Sequence, residues 1–357
     1  MSLPIALDYR PALLSRSGIA RATRELATAL AHEDLDVHLF GHSFARARCA
    51  TEVPERARLH RLPIPGRCLP ALGRLGLGAD RLAGGVRVFH WTDYVQPPVV
   101  RARAVLTVHD LAFVRNSAWH GDNAETLRQR TLTAIAGAAA VITPSRTTAA
   151  DLRAFAPEVR SVHVVPFGAD HVPVPTAAHP LRGRPYALCL GTIEPRKNHR
   201  TLLAAWHLLR EPRPLLVVVG TRGWQCDDIV RELSADAEHV QWRADASDAA
   251  VWPLLQHARL LVYPSLWEGF GFPPLEAMQL GVPVVAHDVA PLRELGDGAL
   301  ELTDATDAAA LAATIDRVLH DETLRARLGA AGRARAATFR WRTCAAAHAA
   351  IYREVAR

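Results

Sequence analysis

Short β-rich apolar runs alternate with helical segments along this chain, and the alternation occurs twice, on either side of a proline-rich break. In the first half the runs are Leu3–Asp8, Asp36–Phe40, Val86–His90, Ala104–His109, Ala139–Thr143 and Val162–Pro166. Helix-like segments at Gly18–Ala31, Ala124–Ala136 and Ser145–Phe155 separate them. Such alternation predicts a parallel sheet covered by helices on both faces. Residues 172–180 are proline-rich and lack any apolar period, so they read as a linker. The pattern then restarts, with strands expected at Tyr186–Gly191, Leu215–Gly220, His239–Arg243, Arg259–Tyr263 and Val282–Ala286 and a helix at Asn198–Leu209. From Ala308 to Arg357 the chain is almost entirely helical in character.

A length of 357 residues suits two domains, each large enough to bury its own core. The expected fold class is α/β, with two Rossmann-like domains facing a central cleft. The boundaries are 1–170, a linker at 171–185, 186–335, and a terminal helix at 336–357. In open parallel sheets ligands bind beyond the carboxyl ends of the strands, which directs attention to the loops there.

Composition narrows the function classes. Hydrophobic residues make up 49% and charged residues 22%, the balance of a soluble globular protein. No uncharged apolar run is long enough to span a bilayer, and Met1–Arg10 lacks the pattern of a signal peptide. Cys49, Cys68, Cys189, Cys226 and Cys344 are odd in number and scattered, so a reducing, cytoplasmic setting is expected, with no disulfide framework and no zinc site. The net charge of +6 resides wholly in residues 1–170, which hold 21 basic and 15 acidic side chains. Between Arg56 and Arg103 nine arginines face only Asp80 and Asp93. That stretch suits an anionic membrane surface, a phosphorylated acceptor or nucleic acid; the plainer reading is a solvated Arg-rich face. Within it, Gly66–Leu82 mixes leucine, arginine and glycine, as a partly amphipathic interfacial helix or as a buried loop.

Two segments carry chemistry. Residues 263–283 (YPSLWEGFGFPPLEAMQLGVP) follow a strand, pass through a glycine-rich turn and enter a helix. Pro273 and Pro274 stand where that helix begins and Gly281 where it ends. Its N-terminus would aim N–H groups at an anion such as a diphosphate. Gly269 and Gly271 permit close backbone approach, while Glu268 in the loop and Glu276 in the first helical turn can accept hydrogen bonds from hydroxyls. The second segment, residues 190–199 (LGTIEPRKNH), sets Arg196 beside Lys197 before a helix. Lys197 is the only lysine in the chain. Two cations there suit a diphosphate whose charge grows as it leaves. The plainer alternatives are an ordinary glycine loop and a solvated basic pair.

These segments resemble those of retaining glycosyltransferases of family 4, which have the GT-B fold and include mannosyltransferases. Glu268 and Glu276 match that family's paired glutamates, and Arg196 and Lys197 its basic pair. Ser17–Leu26, Thr107–Leu111, Val141–Ser145 and Val164–Gly168 resemble further family stretches, so the likeness spans essentially the whole chain. It implies that Gly18 lets the first loop approach the donor diphosphate and that His109 helps position the donor sugar. By the same resemblance Arg196 and Lys197 hold the diphosphate, Glu268 binds sugar hydroxyls, Gly271 and Phe272 offer backbone N–H groups, and Glu276 binds the nucleotide ribose. The donor's own phosphate would serve as base. The last helix, with Phe339, Trp341 and Tyr352, would cross back to the first domain. In residues 287–294 (HDVAPLRE) Glu294 keeps the family register, but Asp288 and Val289 depart from it, which bears on sugar identity.

The implied reaction moves a hexosyl group, with mannose from GDP-mannose as best choice and UDP- or dTDP-sugars as alternatives. The acceptor would be a saccharide or lipid-linked saccharide in bacterial polysaccharide synthesis. No cofactor is expected beyond the nucleotide-sugar substrate, and no metal: Asp34 and Asp36 do not close a strand. A peripheral contact with the inner face of the membrane follows from the basic region. Other readings are an epimerase, a phosphorylase, a donor-binding protein without turnover, or a basic non-catalytic binding protein. Nucleic acid is disfavoured by the lack of stacking aromatics or a helix-turn-helix signature.

Overall fold

The computed structural model describes residues 2–44, 53–121, 123–173 and 178–357. Cys49 and residues 174–177 of the expected linker lie outside these. The chain forms two compact units, Met1–Gly168 with Arg340–Arg357, and Ala169–Phe339.

The first unit holds strands β1 (Leu3–Asp8), β2 (Leu35–His42), β3 (Ala57–Leu62), β4 (Val88–Trp91), β5 (Arg103–Thr107), β6 (Ala140–Thr143) and β7 (Val162–Val164). They pair in parallel in the order β3-β2-β1-β4-β5-β6-β7. β1 and β4 are buried almost throughout, as parallel strands covered on both faces must be. The helix Gly18–Leu30 is capped by Ser17, whose side chain accepts from the Ala20 N–H at 3.2 Å, and buries Ala20, Leu26, Ala27 and Leu30. The core beneath gathers Phe40, Phe89, Leu106, Val108, Phe113 and Leu152.

The second unit holds β8 (Tyr186–Leu190), β9 (Leu215–Val219), β10 (Val240–Arg243), β11 (Leu260–Tyr263), β12 (Val284–His287) and β13 (Glu301–Thr303). They too are parallel, in the order β10-β9-β8-β11-β12-β13. Its core is built on the fully buried Trp206 with Leu202, Leu216, Val218, Ile229, Leu311 and Ile315. In both sheets the order reverses beside the first strand, giving one switch point between β1 and β4 and another between β8 and β11.

Two strands escape the sequence pattern. β3 carries exposed Arg58 and Arg61 at an edge, so it shows no apolar run, and β13 is three residues long. The continuous helix considered for Gly66–Leu82 is corrected to a turn at Gly66–Cys68 and short helices at Leu69–Arg74 and Ala79–Leu82. Gly76, at φ 77°, breaks the helical path, and Arg81 donates to its carbonyl at 3.0 Å.

The last helix, Trp341–Val355, packs within the first unit. The Tyr352 hydroxyl hydrogen-bonds His90 Nδ1 at 2.7 Å, and the Trp341 ring lies 5.8 Å from that of Phe167. Any Cβ on Gly168 would fall 2.3 Å from the Trp341 backbone nitrogen, so glycine is required for that approach. Phe339 stays with the second unit, its ring 6.0 Å from Phe270, and its carbonyl accepts from the Ala169 N–H at 3.0 Å.

Candidate active site

The loops after β8 and β11 flank the switch point of the second unit, and they bring the predicted cations and one predicted carboxylate together. After β8 the chain reaches Glu194, makes one tight turn at Pro195–Lys197, and bends at Asn198 (φ 57°) into the helix His199–His207. The Asn198 amide donates to the Ala305 carbonyl at 2.7 Å, which holds the bend. The two loops are laced by a reciprocal pair: the Leu266 N–H donates to the Arg196 carbonyl at 2.9 Å, and Arg196 Nη1 donates to the Trp267 carbonyl at 2.6 Å.

Four charges alternate across this seam. Glu268 Oε1 accepts from Lys197 Nζ at 2.5 Å and lies 3.3 Å from Arg196 Nη1. Arg196 Nη2 lies 2.9 Å from Glu194 Oε1. Lys197 Nζ also reaches the Tyr263 hydroxyl at 3.3 Å and stands 5.3 Å from the Tyr263 ring centre. Both carboxylates are buried, Glu194 at 2% exposure and Glu268 at 8%. Their titration differs because their partners differ. Burial pushes the Glu268 carboxyl up, but Lys197 and Arg196 together outweigh it and hold it at about 2. Burial also raises Glu194, and there Arg196 and Lys197 only partly offset it. Burial, then the neighbouring Glu268, raises the Tyr263 phenol far above its ordinary range, so it remains a donor.

The glycine turn leads into the helix Phe272–Leu280, which closes at Gly281 (φ 73°). Gly271 has φ 104°, and a Cβ there would come within 2.9 Å of Leu292 Cδ2, so only glycine fits. The helix end offers fewer donors than its sequence suggests. Pro273 and Pro274 have no N–H, and the Leu275 N–H bonds the Gly271 carbonyl at 3.2 Å, which narrows that turn to Phe272. Glu276 is corrected from the first helical turn to the next. It is 1% exposed, and its Oε1 lies 3.1 Å from His171 Nε2. The His171 ring in turn meets Trp252 and Phe272 edge-on, at 5.9 and 6.1 Å. His171 opens the expected linker, and a histidine beside a proline-rich stretch carries no signal of this contact.

Gly18 and His109 belong to the first unit. Gly18 is exposed at the start of its helix, beyond β1. His109 follows β5, and its Nε2 donates to the Thr92 carbonyl at 2.8 Å, since a carbonyl can only accept. Burial lowers the His109 pKa, so the ring is neutral with Nδ1 as an acceptor. Around it, Arg10 pairs with Asp93, and the Thr92 hydroxyl donates to the Asp8 carbonyl at 2.5 Å. Glu194, Tyr263 and His171 are the neighbours that sequence reasoning did not name. Glu194 alone had a signal, two residues before the basic pair.

A seam of buried carboxylates and cations at the switch point of a Rossmann-type sheet is suited to holding a phosphorylated, hydroxylated ligand. Comparison with known proteins gives the family. The family model for glycosyl transferases group 1 matches residues 177–335, and that for the glycosyl transferase 4-like domain matches residues 17–168. The chain is 33% identical to O-antigen chain mannosyltransferase B of Escherichia coli, over 72% of this chain and 71% of that protein. It is 30% identical to D-inositol 3-phosphate glycosyltransferase of Xylanimonas cellulosilytica, over 92% of this chain and 89% of that one. Among solved structures, sucrose-phosphate synthase of Thermosynechococcus elongatus superposes with a TM-score of 0.82 at 24% identity, over 99% of both chains. This chain belongs to the family 4-like glycosyltransferases, has the GT-B fold, and is mannosyltransferase-like.

Proposed function

We propose that the protein is a retaining hexosyltransferase that moves mannose from GDP-mannose to a saccharide or lipid-linked saccharide acceptor in bacterial polysaccharide synthesis. The observation that carries this reading is the buried seam of Arg196, Lys197 and Glu268 at the β8/β11 switch point. Mannose is favoured by the likeness to the O-antigen mannosyltransferase. Arg196 and Lys197 hold the donor diphosphate and neutralise charge as it departs, which makes a divalent cation unnecessary. Glu268, ionised at any physiological pH, accepts from sugar hydroxyls. Glu276 receives the ribose once His171 shares or yields its carboxylate, and Gly271 and Phe272 border the diphosphate. His109 and Gly18 are assigned to the donor sugar and diphosphate by family resemblance.

Calorimetric titration with GDP, UDP, dTDP and ADP tests the donor site. One of them, GDP by this reading, is expected to bind tightly and to weaken at least tenfold in Arg196→Ala, about 1.4 kcal/mol or more. Absence of binding by all four would remove the proposal.

The basic face of the first unit fits an anionic membrane surface. Both acids between Arg56 and Arg103 are consumed internally. Asp80 is buried and accepts from the N–H groups of Val100, Arg101 and Ala102 at 2.8–3.0 Å, and Asp93 pairs with Arg10. Beside Arg74 and Arg81, Leu75 is 75% exposed and Leu77 43%. Among the described residues no helix is long and apolar enough to cross a membrane. Vesicles rich in phosphatidylglycerol should sediment the protein, and Leu75→Asp/Leu77→Asp should release it; equal binding to neutral vesicles would sink this part of the reading.

A further inference from the structure

The seam of Glu194, Arg196, Lys197 and Glu268 is balanced within itself, with two carboxylates facing two cations. A nucleotide-sugar diphosphate brings two negative charges into it. Resting on the donor site proposed above, we infer that Glu194 takes up one proton from solvent when the donor binds, and so releases the Arg196 edge it holds to the diphosphate.

The two carboxylates are not equivalent. Glu268 is held by Lys197 at 2.5 Å and by Arg196 at 3.3 Å, so it stays ionised. Among the described residues Glu194 has one close cationic partner, Arg196, at 2.9 Å. Arg196 keeps its Nη1 on the Trp267 carbonyl, and its Nη2 is the edge facing Glu194. A phosphate that engages that edge competes with the Glu194 carboxylate directly. It also sets a like charge beside a carboxylate that is 2% exposed. Burial and a neighbouring anion both favour the neutral acid. Burial already raises Glu194 among the protein's own groups, against the pull of Arg196 and Lys197 and with that of Glu268.

The other groups around Glu194 cannot substitute for it. Arg196 and Lys197 are the cations of the seam and pair with its carboxylates. Tyr263, at the end of β11, is protonated throughout the physiological range. From the loop after β9, Gly223 packs near the Glu194 Cβ, and its neighbour Arg222 is paired with Asp227. The step is balanced as a carboxylate plus a proton from buffer giving a carboxylic acid, with no bond of the substrate altered. Departure of the diphosphate after transfer reverses it. Glu194 is therefore a positioning residue, acting on the donor through Arg196.

The test is calorimetry of the full chain with GDP-mannose, and separately UDP-glucose, in buffers of different ionisation enthalpy near neutrality. Both diphosphate charges of a nucleotide sugar are fixed there, unlike a terminal phosphate, whose second pKa is about 6. Proton exchange therefore reports the protein. Wild type is expected to take up to one proton per donor bound, with affinity rising by up to about tenfold per unit fall in pH. Glu194→Gln should bind with no uptake and a flat pH dependence, and Glu194→Asp should retain uptake. Wild-type binding without uptake overturns the inference and leaves the donor site standing; this holds even if the glutamine variant does not fold. Uptake that survives in Glu194→Gln assigns the proton elsewhere and overturns it too. Failure of both probes to bind removes the donor site, and this inference with it.

Discussion

At the scale of single residues, Lys197 shows how much one side chain can carry. Its stem crosses Gly191, where a Cβ would sit 3.5 Å from Lys197 Cδ, and its ammonium is shared by Glu268 and Tyr263. An arginine fork would not fit the same compact point between carboxylate and phenol. Lys197→Ala and Glu268→Ala are each expected to lower transfer by about 100- to 1,000-fold, in line with loss of one preorganised charge contact. Circular dichroism should be unchanged while the melting temperature falls, because each change leaves buried charge less well paired. Wild-type turnover in either folded variant would remove the assigned chemistry. Under the proposed function, in which Arg196 and Lys197 neutralise the diphosphate, activity should also persist in excess EDTA; loss restored by Mg²⁺ would contradict that.

At the scale of elements, the site depends on two backbone loops lying almost in contact. Any Cβ on Gly220, at the end of β9, would fall 1.8 Å from the Gly191 carbonyl oxygen. Backbone cannot yield as a side-chain tip can, so Gly220→Ala must displace the loop after β8 that carries Arg196 and Lys197. The expected cost is about 1–3 kcal/mol of stability together with weaker nucleotide binding; denaturant titration and calorimetry would report the two effects separately. An alanine variant with native stability and affinity would mean the loops can part without consequence. The neighbouring helix makes a similar point. Its proline start and glycine stop were legible at Pro273, Pro274 and Gly281, because those residues have strong local meaning. The partner of Glu276 was not legible. His171 is 105 positions away, and no local rule links a proline-rich stretch to a helix interior.

At the scale of the whole molecule, buried titratable groups set the response to pH. Burial lowers His42, His199 and His348 to about 4, and lowers His90 and His109 as well. Unfolded histidine titrates at about 6.5, so below that pH the unfolded chain binds more protons and stability falls. Asp8, raised by burial to about 7, and Glu194, also raised by burial, act with the opposite sign, because each takes up its proton at a higher pH in the native state than in the unfolded chain. Histidines prevail in number, so stability should fall by up to about 1.4 kcal/mol per pH unit for each unbalanced group as pH falls from about 6.5 toward 4, and the melting temperature should drop with it. A melting temperature flat across that window would contradict the burial of these rings. His199→Gln should reduce the slope from the second unit alone, and His348→Gln that from the first. The sequence by itself determined the doubled α/β pattern, most strand positions, and the two segments that carry the cations and glutamates. It could do so because apolar period, proline, glycine and charge act over a few residues. The tertiary structure alone decided that β3 joins the sheet edge despite its arginines, whereas the place of Trp341–Val355 in the first unit was expected from family resemblance and from no local pattern. The tertiary structure alone also set Glu194 as the counter-charge of Arg196. These outcomes depend on burial and on contacts between residues far apart in the chain, and the free energy of a buried charge exists only once the fold has removed the water around it.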